Sequence, residues 1–222
     1  ITLFSSPFDK SAVDLLEDLN TPAYKVASFE IVDIPLIKYI ASTKKPIIIS
    51  TGMGTIGEIE EAYNIAKKYG STDITLLYCV SNYPSKIEDF NLNNISILKK
   101  KFKCKVGLSD HSVDNRVAIA AIALGAEVIE KHIALEGQRG GLDIKFSLRG
   151  KQIKKFRDDI DIAYKIFNIY KERYVERHNY QTKILEILQQ EDLNQEKVIQ
   201  RDRSDNKNEK SISNLQELWS DL

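Results

Sequence analysis

Six short apolar runs, each followed by a polar turn and then an amphipathic stretch, predict a parallel α/β fold for this sequence. The runs recur every 21 to 31 residues. They are rich in Ile and Val and stay apolar throughout instead of alternating, as strands buried on both faces of a parallel sheet do. A chain of 222 residues is long enough to close one sizeable core. This spacing suits an open doubly wound sheet and a (β/α)8 barrel equally. A complete barrel needs eight strands and typically about 250 residues. Six βα units would therefore make an incomplete one, with two strands expected ahead of Ile1, which is not a Met.

The runs fall at 2–6 (TLFSS), 23–28 (AYKVAS), 46–51 (PIIIST), 74–80 (ITLLYCV), 105–109 (KVGLS) and 128–134 (VIEKHIA). Between them, Ser11 to Leu19 reads as a helix with Val13, Leu15, Leu16 and Leu19 on one face. Glu58 to Tyr69 does the same with Ile59, Tyr63, Ile65 and Ala66. Asp114 to Leu124 is rich in Ala, Ile and Val and reads as a well-buried helix. Gly70 and Gly125 fall just past helix ends, where a left-handed cap is wanted. Residues 150–177 read as a last long helix, which would close a partial barrel over 1–177. The remainder, 178–222, reads as a polar tail. Within it 201–210 contains no hydrophobic residue and reads as a linker. Ile212, Leu215, Leu218, Trp219 and Leu222 recur at helical spacing over 211–222, as a short amphipathic helix that docks on the core or pairs with a partner.

Composition narrows the function classes. Lys plus Arg equals Asp plus Glu at 32 each, which argues against a general nucleic-acid binder. No apolar run approaches the roughly 20 residues of a membrane span, and no charged n-region precedes the first run. Cys79 and Cys104 form no CxxC pattern, so reduced thiols in a cytoplasmic protein are expected.

In a parallel α/β fold the chemistry sits at the carboxyl ends of the strands. Five runs end there in polar clusters: Lys25 to Glu30, Ser50 to Met53, Ser81 to Pro84, Ser109 to Ser112 and Glu130 to His132. Unpaired, such groups cost about 1–3 kcal/mol each to bury, so their coincidence favours a polar ligand. Strand side chains alternate faces, which puts Gly107, Ser109 and His111 on one face and Glu130 with His132 on a face of the next strand. If both faces point inward, the two imidazoles and a nearby carboxylate could hold a divalent metal with open positions. The ordinary alternative is two separate hydrogen-bonded core histidines. The third, His178, reads as solvent-facing. Ser28, Ser50, Ser109 and Asn82, with Lys25, would supply donors for a phosphate, although Ser and Asn also cap turns routinely. Lys25 could instead form a Schiff base. Lys131 alternates away from His132 and is expected in an outer salt bridge. Arg139 to Asp143 reads as a loop that either carries a carboxylate over the mouth or simply turns.

Taken together, FSSPFD (4–9), YKVASFE (24–30), PLIKYIA (35–41), KPIIISTGM (45–53), CVSNYP (79–84), NL (91–92), VGLSDHS (106–112), ALGAEVIEKHIAL (123–135) and GGLDIKFSL (140–148) resemble the sialic acid synthase family, in that family's order over about residues 3–160. The resemblance implies an incomplete (β/α)8 barrel of TIM type, lacking the family's first two strands and its C-terminal antifreeze-like domain. It implies condensation of phosphoenolpyruvate with an N-acetylated amino sugar to a nine-carbon sialic-type acid and phosphate, in surface carbohydrate biosynthesis. FSSPF, ASFE, GLSDHS and FSL resemble the pseudaminic acid branch, whose sugar is a 2,4-diacetamido-2,4,6-trideoxy-altrose. SNYP resembles the N-acetylneuraminate branch, which uses N-acetylmannosamine.

Residue by residue, the resemblance implies that His111 and His132 ligate a divalent metal, usually Mn²⁺, with Mg²⁺ or Co²⁺ as alternatives. Lys25, Ser28, Ser50, Asn82 and Ser109 would bind phosphoenolpyruvate. Tyr83 and Asp143 would face the sugar. Glu30, Glu130 and Lys25 would be catalytic. In that chemistry the metal polarises the sugar aldehyde, the enol carbon attacks it, water adds to the resulting cation with help from Glu30 or the metal, and phosphate leaves by C–O cleavage. Lys25 is then an anion holder and not a Schiff base. A homodimer is the family's expected assembly. Missing strands would expose sheet edges, so an inactive truncated barrel acting as an interaction module is the competing expectation.

Overall fold

A computed structural model of the chain describes residues 2–167 and residue 190. The chain divides into two units, Ile1–Asn168 and Ile169–Leu222. Apart from the helical residue 190, all the described strands and helices belong to the first unit. The expected tail helix, the linker and His178 lie outside the described residues.

Five strands, β1 (Tyr24–Val26), β2 (Ile47–Ser50), β3 (Ile74–Cys79), β4 (Lys105–Asp110) and β5 (Ile129–Lys131), pair in parallel in sequential order. Five helices connect or flank them: α1 (Lys10–Asp18), α2 (Ile34–Ser42), α3 (Ile56–Lys68), α4 (Asn93–Phe102) and α5 (Asn115–Ala123). A sixth, α6, runs over 151–167. The spacing does not single out α2 or α4. α2 is apolar on most sides, with Leu36, Ile37, Ile40 and Ala41 buried, and α4 mixes its apolar positions with three consecutive lysines. α3 begins with a capping box in which Thr55 and Glu58 satisfy each other's backbone. Gly70 (φ 118°) and Gly125 (φ 93°) take the left-handed positions expected after α3 and α5.

Strand register sorts the side chains by parity. Tyr24, Val26, Ile47, Ile49, Ile74, Leu76, Val106 and Leu108 face the helices and form the main core with Val13, Ile37, Ile40, Ile59, Ile95 and Val117. The opposite face carries Lys25, Ser50, Leu77, Cys79, Gly107, Ser109 and Glu130, matched across neighbouring strands. These residues meet because the sheet curls. In a flat sheet β1 and β5 would lie about 19 Å apart, at roughly 4.8 Å per strand, with side chains standing perpendicular to it. Instead Lys25 Nζ on β1 lies 3.5 Å from Glu130 Oε1 on β5. That contact across four strand spacings makes the architecture an incomplete barrel and not an open doubly wound sheet.

Several expectations are corrected. The first run, 2–6, is not a strand: only Ser5 forms a bridge, to Tyr24, and Leu3 and Phe4 are exposed because just one side of the segment is paired. The last run, 128–134, breaks at His132. There the chain leaves β4 as partner, and β6 (Ile133–Ala134) pairs with β7 (Leu148–Arg149), with Leu148 N donating to His132 O at 2.9 Å. On α1, Val13 is buried and Leu16 packs against the core, whereas Leu15 and Leu19 face solvent. The single face expected there is thus narrower than the pattern suggests. Among the described residues no helix is long and apolar enough to cross a membrane.

Gly107 fixes how closely β5 approaches β4. A Cβ there would collide with the Val128 carbonyl oxygen and lie 2.8 Å from Leu77 Cδ2. Leu108 N donates to that same carbonyl at 2.8 Å. Gly107→Ala is therefore expected to lower stability by about 1–3 kcal/mol, as overpacking does, read as a fall in the denaturant midpoint without a change in slope.

Candidate active site at the strand ends

The inward residues at the carboxyl ends of the strands form one connected mouth. Lys25 Nζ donates to Ser50 Oγ at 2.7 Å and lies 3.5 Å from Glu130 Oε1. The same carboxylate oxygen accepts from Ser109 Oγ at 2.6 Å. Lys25, Ser50 and Ser109 are buried, so an ammonium and two hydroxyls converge in a site with little water. Ser28 Oγ lies 3.0 Å from Cys79 Sγ.

Beside this donor cluster stand the two imidazoles. Their ring centroids are 5.3 Å apart in an edge-to-face arrangement. His111 Nδ1 is 3.0 Å from the Val80 carbonyl, so it carries the proton and leaves Nε2 with its lone pair, 3.5 Å from Ser109 Oγ. Burial lowers the His111 pKa, which favours the neutral, ligating form. His132 Nδ1 lies 3.5 Å from Asp143 Oδ2. Tyr83 stacks 4.3 Å from the His111 ring and Phe146 sits 5.0 Å from the His132 ring, closing the mouth on that side.

Among the described residues no group of three His, Cys, Asp or Glu side chains converges to hold a metal alone. The pair nevertheless fits one. Each ring has an oxygen near Nδ1, the Val80 carbonyl at 3.0 Å from His111 and the Asp143 carboxylate at 3.5 Å from His132, as in the arrangement that orients metal-bound histidines. Among the described residues His111 Nε2 has only the Ser109 hydroxyl near it, at 3.5 Å.

Of the residues expected at the site, Lys25, Ser28, Ser50, Ser109, Glu130, His111, His132, Tyr83 and Asp143 lie around this mouth. Asn82 does not join them. It is exposed, and its Nδ2 donates to Asp89 Oδ2 at 3.1 Å. The hydroxyl on the inner side here is Ser81: its Oγ lies with Cys79 Sγ against Gly52 and is buried with no hydrogen-bond partner among the described residues. Parity explains the exchange. Leu77 and Cys79 face inward, so Ser81 does as well, and the alternation rule would have selected it. Glu30 Oε2 is the other buried side-chain oxygen without a partner among the described residues. Two orphaned polar atoms are costly unless a ligand satisfies them. Lys131 alternates away from His132 and forms a salt bridge on the outer strand face, as expected, with Asp110; what the sequence does not show is that the pair is buried, at 4% and 0% side-chain exposure.

Residues 1–172 match the model of the NeuB family. The chain belongs to the NeuB family. Over 146 residues, 66% of this chain and 43% of the relative, it is 49% identical to the pseudaminic acid synthase of Helicobacter pylori. Over 156 residues, 69% of this chain and 47% of the relative, it is 45% identical to the N,N'-diacetyllegionaminic acid synthase of Campylobacter jejuni. This NeuB-family chain thus spans about half the length of the curated relatives it matches. The crystal structure of N-acetylneuraminic acid synthetase from Leptospira borgpetersenii, in complex with citrate, superposes with a TM-score of 0.72 at 33% identity, covering 81% of this chain and 65% of that one. Residues 145–222 also match the N-terminal domain of tail specific proteases, overlapping the NeuB match over 145–172.

Proposed function

We propose that this chain carries the mouth of a synthase that joins phosphoenolpyruvate to an N-acetylated amino sugar, with a pseudaminic-type sugar as acceptor, in surface carbohydrate biosynthesis. The observation that carries the reading is the run Lys25–Ser50 and Ser109–Glu130 directly beside the His111–His132 pair. One end of the mouth offers donors to an anion, and the other offers two imidazoles. Lys25, Ser50, Ser109 and the unpartnered Ser81 bind the phosphate and carboxylate of phosphoenolpyruvate and hold its enol face toward the histidines. Tyr83 and Asp143, at the rim, orient the sugar. Glu30, with its free buried oxygen, takes the proton from the water that adds to C2. Glu130 holds Lys25 and Ser109 in place. His111 and His132 would hold a divalent cation, Mn²⁺ by preference and otherwise Mg²⁺ or Co²⁺. When bound, that cation supplies Lewis-acid polarisation of the sugar aldehyde.

The test is inorganic phosphate release by the chain with phosphoenolpyruvate, Mn²⁺ and candidate amino sugars, run alongside the thermal unfolding midpoint with each ligand. A rise in midpoint with phosphoenolpyruvate, and phosphate release that depends on the sugar, support the reading. The absence of both counts against it. Within the mouth, Ser81→Ala is expected to weaken phosphoenolpyruvate binding roughly 3- to 10-fold, the value of one net hydrogen bond of about 0.5–1.5 kcal/mol. Asn82→Ala is expected to leave it unchanged. Calorimetric titration of both variants checks the pair.

A second reading concerns residues 178–222 alone. The match of 145–222 to the N-terminal domain of tail specific proteases favours a separate domain there over a barrel appendage. Hydrogen exchange is then expected to show protection by phosphoenolpyruvate at the strand ends and none in 178–222; protection in that tail would contradict it.

A further inference from the structure

We propose that Asp110 and Lys131 are positioning residues that set the separation and tilt of the two imidazoles. The inference rests on reading His111 and His132 as a cation-binding pair. Each member immediately precedes one of those histidines in the chain. In the register of β4 and β5, Ser109 pairs with Glu130 and Asp110 with Lys131, and the ladder then ends. The histidines therefore stand one residue beyond the last backbone pairing between these strands. What binds the strands at that point is the side-chain pair on the opposite face: Lys131 Nζ lies 2.7 Å from Asp110 Oδ2, with the side chains 4% and 0% exposed.

The pair also grips the backbone on the far side of His111. Asp110 Oδ1 accepts from Ser112 N at 2.8 Å, and Lys131 Nζ donates to the Ser112 carbonyl oxygen. Ser85 N donates to His111 O at 3.1 Å, and Ser85 forms a parallel bridge with Ser112, so the strapped segment is braced from β3's side as well. His111 is thus held through residues 110 and 112, and His132 through 131, by one buried ion pair behind the mouth.

Stability alone does not call for charges here. An apolar pair of similar volume would fill the same space and is often as stable or more so, because burying two ions sacrifices their hydration. A directional pair that reaches two backbone groups instead fixes geometry, which two ligands from separate strands require.

The full 222-residue chain tests this with the double variant Asp110→Leu/Lys131→Met. Three quantities are read: the unfolding midpoint, Mn²⁺ affinity from the paramagnetic resonance of free Mn²⁺, and the nuclear Overhauser contact between the His111 and His132 ring protons. A folded variant is expected to bind Mn²⁺ roughly 10- to 100-fold more weakly, lose the ring-to-ring contact, and bind phosphoenolpyruvate within about twofold of the parent. A purely structural pair would change the midpoint and leave both the contact and the affinity intact, which overturns the proposal. If the double variant does not fold, Asp110→Asn, which keeps an acceptor for Ser112 N, carries the same expectation, and an unchanged contact and affinity overturn it. If the parent chain itself takes up no Mn²⁺, the cation reading fails, and the ring contact alone decides the role of Asp110 and Lys131.

Discussion

Replacing His132 with Ala is expected to weaken divalent-cation binding by at least about 100-fold, since even partners behind metal ligands are worth 10- to 100-fold. His132 is the cleaner of the two positions. Its side chain is 34% exposed, and its polar side-chain contact among the described residues is with Asp143 at 3.5 Å, so its loss should cost little stability. His111→Ala carries the same expectation for the cation. It also removes one of the two donors to the Val80 carbonyl oxygen, which keeps Ser85 Oγ at 3.0 Å, and takes away a buried ring from between Tyr83 and His132. A stability loss of about 1–3 kcal/mol should accompany it, from one net hydrogen bond and the cavity left by the ring. Calorimetric titration of Mn²⁺ into the parent and both variants gives the comparison, with unfolding midpoints as the control for folding. Retained cation binding in both variants would remove the histidines from the site.

The second large effect is expected at Lys25. Its ammonium group stands at the donor end of the mouth, and Ser50 and Glu130 aim it from β2 and β5. A charge-assisted hydrogen bond contributes about 1.5–3 kcal/mol, so Lys25→Met should weaken phosphoenolpyruvate binding roughly 10- to 100-fold while leaving Mn²⁺ binding in place. The two substitutions thus separate the ends of the mouth. The His132 variant should lose the cation and keep the anion, and the Lys25 variant should do the reverse. A Schiff-base role makes a different forecast: borohydride with a keto substrate would leave an adduct on Lys25. With Lys25 engaged as a donor to Ser50, no adduct is expected, and mass spectrometry of the treated chain checks this.

Much of this layout is legible in the sequence because strand parity and strand order are one-dimensional properties. The alternation that places Ser109 with His111 and Glu130 with His132 also places Leu77, Cys79 and Ser81 on the same inner face. Ser81 is legible for the same reason, whereas motif position points to Asn82 instead. The curl is not legible. Spacing of 21 to 31 residues serves an open sheet as well as a barrel, and only a contact between strands not adjacent in the sheet, Lys25 with Glu130, separates them. Partner switching is hidden too. Nothing in VIEKHIA marks His132 as the point where the strand leaves β4, because the cause is the later segment at Leu148. The buried Asp110–Lys131 pair shows how charge misleads. Parity assigns Lys131 its face correctly, but a lysine on an outer strand face suggests solvent until the partner supplied by the neighbouring strand is known. α2 and α4 escape because a helix apolar on most sides, or one interrupted by a lysine run, has a weak period.

The most direct test of the mouth as a joint site is a crystal of the chain soaked with Mn²⁺ and phosphoenolpyruvate, measured by anomalous scattering at the manganese edge. The expected result is one anomalous peak bonded to nitrogens of both His111 and His132, with the phosphoenolpyruvate anion in contact with Lys25 Nζ and Ser50 Oγ. A manganese peak away from that pair, or an anion bound elsewhere while Lys25 still holds Glu130, would contradict it.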